Sequence, residues 1–247
     1  MAGNRKAVPM NANAELAGQK RLAATSAVDE VCDGMIVGLG TGTTAAFAIE
    51  ALGRRVAAGL AIVTVATSRA CAHAAALAGL LLRDLSGIAA IDLCIDGVDE
   101  IDPAFRAIKG AGGAMLREKI VATAARRMIA IADSSKAVSH IGTRPMPVEV
   151  LPDAHACVSA AIDALGGAAT LRCGPDGTAA STDQGNIILD CRFSAGTDWI
   201  ALAPELGAIP GMLGHGLFLT EIDALYLGTS DGLIRSERAI AKSPSSG

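Results

Sequence analysis

The sequence predicts an α/β fold, an open and mostly parallel sheet with a smaller α+β layer inserted late in the chain. Short continuous apolar runs such as MIVGL and MIAIA are typical of strands buried on both faces of a parallel sheet. Segments with helical periodicity separate these runs, as in successive βα units. The pattern changes near Pro145 and Pro147, where strand and turn signals become denser. Since 51% of the 247 residues are hydrophobic and 19% charged, a sizeable core is expected.

The first part of the chain alternates between helix and strand. The first helix carries Leu16, Ala23 and Ala27 on one face and ends before Gly34. The predicted elements are helices at 15–31, 43–52, 71–77 and 114–126, and strands at 35–39, 61–66, 92–96 and 128–132.

The second part is predicted as strand, helix, strand, strand, followed by a closing hairpin. VEVLP forms the first strand, and a DQGN turn leads into the last strand, IILDC. The helix lies at 156–165 and the middle strand at 170–173. The segment ALYLGTSDGLIR predicts a hairpin that turns at Asp231-Gly232.

These patterns divide the chain into two domains and two tails. We expect disordered ends because both terminal segments are polar. The predicted parts are an extension at 1–14, an α/β domain at 15–142 and 217–240, an α+β insert at 143–216 and a tail at 241–247.

The composition argues against several classes of protein. A formal charge of −4 and 2% aromatic residues provide neither a basic surface nor stacking platforms for nucleic acid. No two of the six cysteines have the spacing of a zinc or redox motif. The N-terminal segment lacks the apolar run of a secretory signal, and the apolar stretch 74–82 is shorter than the about 20 residues of a spanning helix. We expect a cytoplasmic protein that binds neither nucleic acid nor membrane.

A glycine-rich turn, VGLGTGTTAAF, joins the first predicted strand to the second helix. Its glycines let the backbone approach a ligand, and the helix N-terminus directs N–H groups at an anion. Gly40, Gly42 and Ala45 also match a dinucleotide-binding turn. Such a site has an acidic residue about 20 positions further on, whereas the second strand ends in Ala66-Thr67-Ser68-Arg69. The turn therefore favours the phosphate of a sugar phosphate, and a plain tight connection is the alternative.

Carboxylates are concentrated in IDGVDEID, at the end of a buried strand. Ligands of open α/β sheets bind beyond such strand ends. Asp96, Asp99 and Asp102 are equally compatible with a solvated loop or a divalent-metal site. Lys109 follows closely within KGAGG, and a lysine there can stabilise negative charge on a substrate oxygen without a metal.

Glu118 is the candidate general base. Its neighbours at helical spacing, Ala114, Val121, Ala122 and Ala125, are small or apolar, so partial desolvation can raise its pKa. An ordinary exposed helix glutamate is the alternative.

Lys136 is a candidate phosphate ligand. It follows the predicted strand MIAIA in the segment ADSSK, and thus lies at another strand end. A surface lysine is the alternative.

Six ordered motifs together resemble ribose-5-phosphate isomerase of the A type, over about residues 15–235. The sequence has GLGTGTT, DGVDE, KGAGGAMLREK, ADSSK, IPGMLGHGLF and GTSDG. The family has GxGTGST, DGADE, KGGGxA with a REK helix, D-x-SK, IPGVV-x-x-GLF and GTPDG in the same order. The resemblance implies a Rossmann-like domain with an inserted ferredoxin-like lid, an enzyme without cofactor or metal, and a homo-oligomer, a dimer in this family.

The resemblance also implies residue roles in converting ribose 5-phosphate to ribulose 5-phosphate through an enediolate. Glu118 moves the proton between C1 and C2, and Lys109 steadies the enediolate oxygen. Asp96 and Asp99 bind sugar hydroxyls and assist ring opening. The implied substrate-binding residues are Lys20, Thr41, Gly42, Thr43, Thr44, Asp96, Gly97, Asp99, Lys109, Gly110, Ala111, Gly112 and Lys136.

Three positions depart from the family pattern: Ala111 replaces a glycine, Thr43 replaces a serine, and Ser68-Arg69-Ala70 is less rich in hydroxyls. None removes a catalytic side chain.

Two rival functions are a sugar-phosphate sensor on an inactive isomerase fold and an NAD-dependent dehydrogenase. Retention of Glu118 and Lys109 argues against the sensor, and absence of nicotinamide binding would remove the dehydrogenase.

Overall fold

A computed structural model describes residues 12–239 of the chain. The helices of this part are α1 (Ala12–Val28), α2 (Thr43–Ala57), α3 (Arg69–Leu77), α4 (Met115–Ala124), α5 (His155–Ala164) and α6 (Trp199–Gly207). The strands are β1 (Ile36–Leu39), β2 (Val63–Ala66), β3 (Leu93–Gly97), β4 (Glu100–Ile101), β5 (Ala107–Ile108), β6 (Met128–Asp133), β7 (Met146–Val150), β8 (Ala168–Leu171), β9 (Ile187–Arg192), β10 (Met212–His215), β11 (Leu217–Phe218), β12 (Ala224–Thr229) and β13 (Gly232–Glu237).

The largest sheet has the order β13-β12-β6-β3-β1-β2. Its strands are parallel except β13, which forms an antiparallel hairpin with β12. Strand β6 shows that both faces of this sheet are covered. Ile129 and Ile131 join the core beneath α1 and α2, whereas Met128 and Ala130 join the core on the opposite face, with residues of α4. A continuous apolar run therefore fits a strand buried on both sides.

The second sheet has the order β10-β7-β9-β8 and is antiparallel. With α5 and α6 it has the element order βαββαβ, the ferredoxin-like arrangement. Met146, Val148 and Val150 alternate along β7 and pack in one core with Val158 of α5 and Leu206 of α6. The predicted fold class, an open α/β sheet with an inserted ferredoxin-like layer, is confirmed.

A small antiparallel sheet, β11-β5-β4, adjoins the first sheet. Leu217 pairs with Ile108, and the Lys109 N–H donates to the Gly216 carbonyl at 2.9 Å. A Cβ atom at Gly216 would lie 2.2 Å from the Lys109 carbonyl oxygen, so glycine is required at this contact. The backbone of Lys109 is thus held in place by IPGMLGHGLF, a distant segment of the chain.

Several predicted elements are present with shifted ends. Helix α1 spans Ala12–Val28 rather than 15–31, and β8 begins two residues before the predicted strand at 170–173. The hairpin is present, but its predicted turn at Asp231-Gly232 was wrong. Thr229 pairs with Gly232, so the turn residues are Ser230 and Asp231. The predicted disordered extension at 1–14 was too long, because residues 12–14 belong to α1. Residues 1–11 and the predicted tail at 241–247 lie outside the described residues.

The prediction missed α6, β10 and three strands of two residues each, β4, β5 and β11. Pro204 inside α6 and Gly214 inside β10 weaken the helix and strand signals of these segments. Within residues 12–239, no helix is long and apolar enough to cross a bilayer.

Candidate active site

The carboxyl ends of β1 and β3 open onto a cavity of about 190 Å³. Parallel neighbouring strands end at the same edge, which brings segments far apart in sequence together. The cavity is lined by Thr41, Gly42, Thr43, Thr44, Gly97, Val98, Asp99, Lys109, Gly110, Ala111, Gly112, Glu118 and Lys136. Val98 is the lining residue that the sequence analysis does not name. The remaining predicted residues, Asp96 and Lys20, do not line the cavity but contact residues that do.

The turn after β1 forms part of the cavity wall. A Cβ atom at Gly40 would lie 1.8 Å from Asp96 Oδ1, so only glycine lets this turn cross the end of β3. Gly42 has a φ of 111°, in the region that favours glycine, and no side chain caps α2 at its N-terminus. The first N–H groups of α2, near Thr43 and Thr44, can therefore bind an anion.

Hydroxyl groups support this turn from β2. Thr41 Oγ1 lies 2.8 Å from both Thr67 Oγ1 and Ser68 Oγ. Thr67 Oγ1 donates to the Leu39 carbonyl, and Ser68 Oγ accepts the Cys71 N–H at the start of α3. Thr67 and Ser68 are contacts that the sequence analysis does not assign, although it places them at a strand end.

Two lysines supply cations at the cavity: one contacts a lining residue and the other is part of the lining. Lys20 Nζ on α1 donates to Thr43 Oγ1 at 3.1 Å and lies 3.8 Å from Asp133 Oδ2. Lys136, in the segment after β6, lines the cavity. The uncapped helix N-terminus and two cations together suit a phosphate.

The cavity also borders a buried cluster of charges. Lys109 Nζ lies 2.7 Å from Asp96 Oδ2 and 3.2 Å from Glu118 Oε2, and it also donates to the Gly97 carbonyl. The exposed fractions of Asp96, Lys109 and Glu118 are 1%, 2% and 4%. Asp96 Oδ1 accepts the N–H groups of Thr41 and Gly97, so its orientation is fixed.

The electrostatics of this cluster leave Glu118 poised to exchange a proton. Burial raises the pKa of Glu118 to about 8, partly offset by Lys109 and reinforced by Asp96. Burial also raises the pKa of Asp96 against the opposing effect of Lys109. For Lys109, burial lowers the pKa, but Asp96 and Glu118 outweigh it and raise it above the ordinary value. One cation thus faces two carboxylates, and the excess negative charge is relieved by protonating Glu118.

Asp99 projects beside the glycine-rich loop after β5. Its Oδ2 accepts the Ala111 N–H at 2.9 Å. Gly110 and Gly113 have positive φ values of 102° and 75°, whereas Ala111 does not. Ala111 is also exposed, so its replacement of a family glycine adds neither strain nor a buried methyl group. The backbone N–H that contacts Asp99 is retained.

Glu100 and Asp102 of the same acidic motif have other contacts. Glu100 is 1% exposed and accepts the N–H groups of Gly142, Thr143 and Arg144, which anchors the segment entering β7. Asp102 Oδ2 accepts Arg106 Nε at 2.7 Å. A divalent-metal site at Asp96, Asp99 and Asp102 has no counterpart among residues 12–239, where no group of three or more possible ligands is arranged around one point.

The cavity therefore combines a proton acceptor, a neighbouring ammonium group and an anion site. A carboxylate with a pKa near neutrality can remove a proton from carbon, and an ammonium 3.2 Å away can stabilise the oxyanion that forms. Such an arrangement suits proton transfer next to a carbonyl of a phosphorylated substrate.

Comparison with known proteins agrees with this geometry. The family model for ribose 5-phosphate isomerase A (phosphoriboisomerase A) matches residues 63–232. A ribose-5-phosphate isomerase A of Sphingopyxis alaskensis is 49% identical over 86% of this chain and 93% of its own. The crystal structure of the ribose 5-phosphate isomerase A of Neisseria gonorrhoeae is 36% identical, with a TM-score of 0.84, over 91% of this chain and 98% of that one. A D-ribose-5-phosphate isomerase solved with phospho-erythronic acid is 34% identical, with a TM-score of 0.85, over 89% and 97%. This chain belongs to the ribose 5-phosphate isomerase A family.

Proposed function

We propose that this protein interconverts D-ribose 5-phosphate and D-ribulose 5-phosphate through a cis-enediolate, as in the non-oxidative pentose phosphate pathway. The observation that carries the proposal is the 3.2 Å contact between Lys109 Nζ and Glu118 Oε2 at the wall of the cavity. It supplies a base and an electrophile to adjacent atoms of one substrate.

In the proposed reaction, Glu118 removes the proton from C2 of the open-chain aldose. The electron pair forms the C1–C2 double bond, and the carbonyl electrons move to O1, where Lys109 stabilises the negative charge. Glu118 then returns the proton to C1 while O2 becomes the ketone oxygen and its proton passes to O1. A pKa of about 8 suits both directions of this transfer.

The other residues bind and orient the substrate. We assign the phosphate to Thr41, Gly42, Thr43, Thr44 and the lysines at positions 20 and 136. This assignment is supported by the uncapped start of α2 and the Lys20–Thr43 contact.

Asp99 binds sugar hydroxyls and assists ring opening, beside the backbone of Gly97, Gly110, Ala111 and Gly112. Asp96, which has no place in the lining, acts chiefly by orienting Lys109. A role for Asp96 in binding hydroxyls remains a prediction of the family resemblance.

The relatives support the same substrate class. One solved relative is in complex with phospho-erythronic acid, a phosphorylated sugar acid. The cavity of this chain offers an anion site and a carboxylate–ammonium pair, which suit such a molecule. The chemistry described here uses only side chains of the chain itself.

The direct experiment is an isomerase assay with ribose 5-phosphate, arabinose 5-phosphate and glucose 6-phosphate, without added metal or nicotinamide. We expect turnover of ribose 5-phosphate in both directions and weaker or no turnover of the other two. Binding of ribose 5-phosphate without turnover would favour the rival sensor function. Dependence on a nicotinamide would favour a dehydrogenase.

We further propose that the protein acts in the cytoplasm as a homo-oligomer, a dimer by resemblance to the family. Light scattering after size exclusion measures the oligomeric mass.

We also propose the domain bounds 15–142 with 217–240 and 143–216, which limited proteolysis tests. The strands of the four-stranded sheet lie within 146–215, which supports the insert.

A further inference from the structure

We propose that Arg172, which follows β8 in the inserted sheet, is a positioning residue for the isomerisation. Its Nη1 lies 3.0 Å from the carbonyl oxygens of both Gly110 and Ala111. The inserted sheet thereby holds the catalytic loop that follows Lys109. The inference rests on the proposed function, because it concerns the rate of that reaction.

The peptide unit between Gly110 and Ala111 is held at both polar ends. Its carbonyl accepts from Arg172, and its N–H donates to Asp99 Oδ2 at 2.9 Å. The C=O and N–H of a trans peptide point in opposite directions, so the two partners fix its rotation. Gly110 and Gly113 leave this loop little intrinsic rigidity. Without Arg172, the peptide can turn, and Asp99 loses its fixed orientation beside the sugar.

Arg172 is itself held by Asp190 on β9. Asp190 Oδ2 accepts Arg172 Nε at 2.9 Å, and Asp190 Oδ1 accepts Nη2. Asp190 pairs directly with Thr170, so Asp190 and Arg172 are diagonal neighbours on the same face of the sheet. The planar guanidinium thus contacts one carboxylate and two carbonyls at once, which the single ammonium group of a lysine cannot reproduce.

The test compares Arg172→Ala, Arg172→Lys and Asp190→Asn with Arg192→Ala, a control at an exposed arginine of the same sheet. We expect kcat to fall about 10- to 100-fold in both Arg172 variants, because small misplacements of a catalytic loop have effects of that order. KM should change by less than about threefold, since the two carbonyl groups that Arg172 contacts do not belong to the residues assigned to the phosphate.

Asp190→Asn should lower kcat by a smaller factor. Adding it to Arg172→Ala should lower kcat no further, because both changes disturb one contact chain. Guanidinium ion at millimolar concentration should restore part of the lost kcat of Arg172→Ala, with no change in the melting temperature. If Arg172→Ala does not fold, Asp190→Asn and Arg172→Lys carry the test.

A kcat for the Arg172 variants within about twofold of the Arg192→Ala value would overturn the proposal. A loss of kcat that follows the loss of folded protein, with no guanidinium rescue, would overturn it as well. Hydrogen exchange provides a readout independent of turnover: the Ala111 amide should exchange faster in Arg172→Ala than in the control. Failure of the proposed function is recognised separately, as wild-type protein without isomerase activity.

Discussion

Replacing Glu118 with glutamine should abolish the base and, at the same time, stabilise the fold at alkaline pH. The glutamine side chain has nearly the same shape but carries no charge. In the wild-type protein, Glu118 is 4% exposed and shares Lys109 with Asp96, which leaves one excess negative charge in the interior when Glu118 is ionised. The variant retains the balanced pair of Lys109 and Asp96.

The magnitude follows from the pKa of Glu118, which burial raises from 4.5 to about 8. Below about pH 4.5 the carboxyl is neutral in both folded and unfolded chains. As the pH rises, the unfolded chain releases its proton first, so the wild-type protein loses stability until Glu118 ionises near pH 8. At about 1.4 kcal/mol per pKa unit, the loss amounts to about 5 kcal/mol. For a chain of this size, the corresponding change in melting temperature is on the order of 10 °C.

The assay combines thermal unfolding at pH 5 and pH 9 with steady-state kinetics. We expect the glutamine variant to melt close to the wild type at pH 5 and about 10 °C above it at pH 9. Its kcat should fall by roughly 10²–10⁴-fold while ribose 5-phosphate still binds. In the wild type, kcat/KM should decline as the pH falls through about 8, because the base must be ionised to accept a proton.

Glu205→Gln provides the matched control, since Glu205 lies exposed on α6. It should leave both the rate and the pH dependence of melting unchanged. Near-normal turnover in a folded Glu118→Gln variant would refute the assignment of Glu118 as the base and direct attention to Asp99. A melting-temperature gap that is equal at pH 5 and pH 9 would refute the electrostatic reasoning.

Three further predictions concern metals, phosphate and backbone space. Exhaustive chelation should leave turnover intact, and a loss restored by one divalent ion would contradict this. Replacing Thr43 and Thr44 with valine should raise KM roughly 10- to 100-fold with a smaller effect on kcat, because hydrogen bonds to a charged group are removed; unchanged KM would place the phosphate elsewhere. Gly40→Ala should abolish activity or folding, since its Cβ would meet Asp96 Oδ1 at 1.8 Å. In contrast, Gly18 lies in open space on α1, so Gly18→Ala should stabilise the protein by about 0.5–1 kcal/mol, as measured by thermal unfolding.

The parts of the fold that the sequence predicts are those with a local cause. The run MIAIA is continuous and apolar because its residues face two cores, and that requirement is visible within the segment. The turn at Gly40–Gly42 is predictable for the same reason, since strand, glycines and helix follow one another directly. Each predicted cavity residue lies in a segment of this kind, at the carboxyl end of a strand or the start of a helix.

The contacts that the sequence does not predict join distant segments. Arg172 lies 62 residues from Gly110, and nothing in the sequence near LRCG indicates a loop carbonyl as its partner. The support that Thr67 and Ser68 provide for Thr41 likewise depends on the pairing of β1 with β2. Such contacts are determined by strand register and by the docking of the two sheets, which no single segment specifies.

Glu118 shows why a site can be named from motifs and yet not be explained by them. The sequence of α4 is compatible with an exposed glutamate or a buried base, because small neighbours alone do not determine desolvation. The protonation equilibrium of Glu118 depends on two charged neighbours, Lys109 and Asp96. The Gly216 contact holds Lys109, and the turn that Gly40 permits holds Asp96. The fold keeps a buried cluster with one charge in excess, which lowers stability and in return raises the pKa of one carboxyl to about 8. The basicity of Glu118 is therefore a property of three converging segments, and a change that weakens the contacts of Lys109 with the two carboxylates should alter the pH dependence of the reaction.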